Sequence, residues 1–91
     1  MRQVASHTFR GQRWRIVNRS PRKSAGLCSP PGQSGKAIWM APKLCEPEAL
    51  EVAIHEAMHA CLWDTAEEAI TESASDIAAF LWRLGWRRGE N

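Results

Sequence analysis

A chain of 91 residues, 44% hydrophobic and 24% charged, has room for one modest core and the composition of a folded domain, which excludes a multidomain enzyme, a fibrous repeat and a disordered tail. The net charge of +2 hides a division: residues 1–45 hold nine Lys or Arg and no acid, whereas residues 46–91 hold ten acids and three basic residues. No apolar stretch approaches the roughly 18 residues of a membrane span, and residues 1–10 lack the apolar run of a signal peptide, so a cytoplasmic protein is expected.

In chain order, the segment His7 to Val17 ends in alternation, with Trp14 and Ile16 on one side and Arg13, Arg15 and Val17 on the other. That is the period of a half-buried strand, and Gly11 marks a hairpin or a bulge within it. Residues 19–35 turn to Ser, Pro and Gly, including Ser29-Pro30-Pro31-Gly32, and read as a loop. Lys36 to Pro42 reads as a second short strand that Pro42 stops.

The period then changes. Glu46-Pro47-Glu48 suits a helix start, with Pro where its missing donor is harmless and acids where the helix dipole is positive, predicting a helix from Pro47 to Trp63. Thr65-Ala66-Glu67-Glu68 fits a capping box, from which a second helix runs through Ile70, Ile77, Phe80, Leu81 and Leu84 to the stop at Gly85. Strands first and helices afterwards predict an α+β class: one domain over residues 1–91, a small N-terminal β-sheet packed against a C-terminal two-helix hairpin.

The first helix contains His55-Glu56-Ala57-Met58-His59, the HExxH pattern, whose spacing sets both imidazoles on one face within reach of one zinc ion. Leu50, Ala53, Ile54, Ala57 and Cys61 form an apolar face for the sheet, so the histidine side is expected to look toward the second helix. There Glu72 and Asp76 are four apart, and in an antiparallel hairpin that step runs beside the step from His59 to His55. Glu72 is then the expected third ligand of a His-His-Glu set, with Asp76 fixing the His55 tautomer. Glu67 and Glu68 read as capping and dipole residues, Glu68 being the alternative ligand. Glu46, Glu48 and Glu51 read as a solvated face, His7 as a strand residue, and the five Trp as packing.

These residues resemble the gluzincin metallopeptidases, through His55-Glu56-Ala57-Met58-His59 and through Thr71-Glu72-Ser73-Ala74-Ser75-Asp76, which is similar to the Asn-Glu-x-x-Ser-Asp stretch of the thermolysin-like members. Thr71 stands where those have Asn. The chain is far shorter than a thermolysin-like enzyme and looks closer to the minimal zincin-like proteins, including small metallopeptidases of phages and bacteria, and more loosely to HExxH proteins that cleave phage repressors. The resemblance implies a zinc metalloendopeptidase acting on a protein or peptide, with Zn2+ held by His55, His59 and Glu72, Glu56 as general base, Asp76 supporting a histidine, and the strand from Lys36 to Ala41 as the edge along which substrate lies. It also implies a bacterial or phage-infected cell as the setting.

Two other readings belong to different classes. Cys45 or Cys28 with His55 and His59 would close a structural zinc site, although Cys28, Cys45 and Cys61 are odd in number and lack the short pairs of zinc fingers. Arg10, Arg13, Arg15, Arg19, Arg22 and Lys23, with Trp14 to stack a base, would suit a nucleic-acid-binding module. A solvated sheet face whose charge offsets the acidic helices is favoured over that module.

Overall fold

The computed structural model describes residues 4–22 and 24–88, and Lys23 lies outside the described residues. Four strands precede two helices: β1 (Ser6–Phe9), β2 (Gln12–Val17), β3 (Gly26–Cys28), β4 (Ala37–Met40), α1 (Glu48–Cys61) and α2 (Glu67–Arg83). This is the expected α+β class, with the sheet order β1-β2-β4-β3.

The hairpin joining β1 to β2 turns through Arg10 and Gly11, whose φ angles of 48° and 83° are both positive. A two-residue turn that follows the twist of its strands needs that backbone, and glycine adopts it without a Cβ penalty. β2 pairs in parallel with β4, Ile16 opposite Ile38, and β3 runs antiparallel to β4, Leu27 opposite Trp39.

Alternation along β2 and β4 sends Trp14, Ile16, Ile38 and Met40 to the face covered by α1. The core gathers Trp14, Cys28 and Ile38 against Ala60, with Phe9, Ile16 and Met40 around them. Trp14 is 1% exposed, and its indole N–H donates to the Ser29 carbonyl at 3.1 Å, so the ring's one polar atom is satisfied. That burial removes Trp14 as a surface for stacking a base. Arg10, grouped with the same basic set, donates instead to the Cys61 carbonyl at the end of α1, at 2.9 Å.

α2 packs along α1 rather than on the sheet, through Ile70, Ala74 and Ala78, which recur every four residues on one face. Beyond α2, Arg87 stacks on the Trp82 ring with its guanidinium carbon 3.3 Å from the centroid. Arg88 reaches back to the start of α1, binding the Glu46 carboxylate and, at 3.0 Å, the Leu44 carbonyl. No helix among the described residues is long and apolar enough to cross a membrane.

Three expectations are corrected. The Ser/Pro/Gly region is not all loop, since β3 lies within it; a three-residue strand is too short to show a period. The strand from Lys36 is interior, flanked by β2 and β3, and the edge beside the helices is β3. The capping box does not form either: Ala66 is the N-cap of α2 without a side-chain cap, because Thr65 lies one residue earlier in the turn, donating its N–H to the Leu62 carbonyl, which leaves an alanine with no side-chain oxygen at the cap.

Candidate metal centre

His55 and His59 sit one turn apart on α1, and helical spacing brings their Nε2 atoms to 3.1 Å of each other. The third member of the group is Glu67, the first residue of α2. Its Oε1 lies 3.1 Å from His55 Nε2 and its Oε2 lies 2.8 Å from His59 Nε2. Among the described residues, His55, His59 and Glu67 form the group of metal-capable side chains whose ligand atoms all fall within 4.8 Å of one another.

The donor set suits a small cation. Two imidazole nitrogens and a carboxylate converge, the donor types that hold zinc. Ligands about 2.0 to 2.1 Å from a tetrahedral zinc ion stand about 3.3 Å apart, close to the 3.1 Å between the two imidazole nitrogens, while Glu67 turns a different oxygen to each histidine. The two histidines are mostly buried and Glu67 is exposed, so the group opens to solvent on the Glu67 side.

Glu72 and Asp76 stand elsewhere. They line a shallow depression with Glu51, Thr71 and Ser75, away from the imidazoles. The register of the hairpin explains the difference. Only residues 62–66 join the helices, so the first turn of α2 meets the last turns of α1. Glu72, five residues further, is displaced by about 7.5 Å along the axis and carried toward Glu51. The antiparallel alignment expected from the sequence is present, offset by more than one turn. Glu68 does not join the group.

Glu56, between the histidines in sequence, is 6% exposed. Burial pushes its carboxyl up to about 7, with His55 opposing and Glu67 adding to the rise. The side chain fits because the strand beside it carries no Cβ at residue 26: one built on Gly26 would stand 2.7 Å from Glu56 Oε2 and 2.9 Å from Val52 Cγ1. Sequence reasoning missed both Gly26 and Glu67. A short hairpin connection was the available signal for Glu67, which the capping-box pattern obscured.

Of α2, expected opposite the histidine side, Glu67 at its start meets the imidazoles, and the same side lines a cleft walled by β3. Gly26, Leu27 and Cys28 line one side, and His55, Glu56, His59 and Trp63 the other, with Glu67 at the rim. Ala41 N–H donates to the Ala25 carbonyl and Ser29 N–H to the Ala37 carbonyl, both at 2.9 Å. Alternation in an antiparallel ladder then turns the backbone groups of Gly26 and Cys28 away from β4, onto the free edge. The Gly26 carbonyl accepts the Ser24 hydroxyl at 2.8 Å.

Cys28 shares this wall, but its thiol is outside the ligand group; burial first, then Glu56 and Cys61, push it up to about 12. Cys45 is exposed ahead of α1. No protein-family model, curated protein or solved structure matches the chain.

Proposed function

We propose that the protein is a zinc-dependent peptidase, with His55, His59 and Glu67 holding the ion. The observation that carries this reading is the meeting of a His-His-Glu group with the buried Glu56 carboxylate at a cleft bounded by a free strand edge. Bound zinc supplies Lewis acidity, drawing the pKa of water down toward 7 and polarising a carbonyl. Glu56, on the next position around the helix from His55, faces the cleft without belonging to the ligand group. Its carboxylate takes a proton from the attacking water, whose oxygen bonds to the peptide carbon. It returns that proton to the amine nitrogen as the C–N bond breaks.

An extended peptide suits β3 rather than β4, since Gly26 and Cys28 offer outward backbone groups beside the group of histidines. Backbone pairing of this kind supplies affinity with little demand on side-chain sequence.

The test joins metal content to hydrolysis. Protein purified without added metal and then equilibrated with zinc is expected to bind one ion. Glu67→Ala should weaken binding at least about tenfold, whereas Glu72→Ala and Cys45→Ala leave it unchanged. Glu56→Gln should keep the ion and lose hydrolysis of a peptide library by about a hundredfold or more. Loss of zinc on Cys45→Ala would favour the structural site. A zinc-loaded wild type without hydrolysis would overturn the peptidase reading.

A further inference from the structure

α2 carries an apolar seam that nothing among the described residues covers. Ile77, Phe80 and Leu84 are 40%, 61% and 60% exposed. With the half-buried Ser73 before them, they are spaced four, three and four residues apart, which is the a and d pattern of a heptad. At 3.6 residues per turn the seam lies roughly a quarter turn around the helix from Ile70, Ala74 and Ala78, the face that packs on α1. Among the described residues the only large side chains buried below 2% exposure are Trp14 and Ile70. Leaving three large apolar groups in one line on solvent is therefore a sizeable fraction of its apolar surface, and such a line marks a contact site.

The flanking charges identify what covers it. Asp76 and Arg83 are exposed, occupy successive g positions of the same heptad, and make no ion pair or hydrogen bond with any described residue. In a parallel helix pair, g positions face e positions of the partner, which here are the uncharged Ala74 and Leu81. In an antiparallel pair, g faces g. Asp76 then meets the partner's Arg83, and Arg83 meets the partner's Asp76, so one patch complements itself twice. Self-complementarity is what a two-fold contact between identical chains requires.

We propose that the protein self-associates as a two-fold dimer through antiparallel packing of α2 on α2, with Ile77, Phe80 and Leu84 in the seam and Asp76–Arg83 pairs setting its direction. Glu67 lies at the opposite end of α2, about 15 Å along the axis from Ile77, so both histidine clefts stay open. A seam of two heptads is short, which makes the association weak and concentration-dependent.

Sedimentation equilibrium of the whole chain from about 5 to 500 µM reads the outcome. The wild type is expected to pass from monomer to dimer, and Phe80→Glu to raise the dissociation constant at least about tenfold, with circular dichroism showing the helices retained. Asp76→Arg and Arg83→Asp each set like charges opposite one another, raising the constant by about three- to tenfold, while the double swap returns it to within about twofold of wild type. A wild type that stays monomeric at the highest concentration overturns the proposal. So does an assembly that grows beyond a dimer, or one in which the double swap fails to restore what the single swaps remove.

Discussion

At the scale of single residues, the HExxH spacing made His55, Glu56 and His59 legible, because a four-residue step on a helix fixes a shared face whatever the helix packs against. The glutamate completing the group was not legible in the same way. Its identity depends on where two helices meet, and an offset of five residues exchanges Glu72 for Glu67 without altering either helix. Gly26 was hidden for another reason: its role is the absence of an atom, which only the packed Glu56 and Val52 side chains reveal. Gly26→Ala sets a methyl 2.7 Å from Glu56 Oε2 and 2.9 Å from Val52 Cγ1. Of these, the buried carboxylate has little room to move, so overpacking should lower stability by about 1–3 kcal/mol. Urea denaturation checks this, and an unchanged midpoint would show that the strand yields instead.

At the scale of elements, the helices were readable to within a few residues at either end, whereas Gly11 signalled a break in the first strand without deciding between the bulge and the hairpin that forms. β3 was not readable, because three residues among prolines and serines carry no periodicity, and its place is set by pairing with β4. Missing it misplaced the edge, assigning the substrate strand to β4, which is occupied on both sides. The two glycines at these elements separate two kinds of constraint. A Cβ at Gly11 meets nothing within 4 Å, but its φ is +83°. Gly11→Ala should therefore destabilise through backbone strain alone, by about 1 kcal/mol. Gly11→Asn, a residue that tolerates the left-handed region, should recover most of that loss. Thermal melts of the two variants beside wild type would decide it: equal losses for Ala and Asn would mean that the turn conformation is not what the position demands.

At the scale of the molecule, the basic sheet half and the acidic helical half meet at the histidine cleft: β3 supplies one wall and α1 with the start of α2 the other. What composition could not convey is how little bulk the core has. Among the described residues, five of the nine buried hydrophobic ones are alanines (Ala37, Ala49, Ala60, Ala74 and Ala78). Small domains with so little to bury draw on other constraints, of which a metal bridging two helices is one. Zinc held by His55, His59 and Glu67, as proposed, would tie the last turns of α1 to the first residue of α2, across the connection that sets their register. Because the unfolded chain does not hold these three together, such binding would be linked to folding. At about a hundred times its dissociation constant, an ion would add about 2.7 kcal/mol. In a domain of this size that is on the order of a 10–20 °C rise in melting temperature. Chelation of the wild type should remove the rise, and Glu67→Ala should melt at nearly the same temperature with or without zinc, while Glu72→Ala should retain most of the difference. A zinc-induced rise that survives Glu67→Ala but vanishes with Glu72→Ala would move the third ligand back to the position that the spacing of the second helix first indicated.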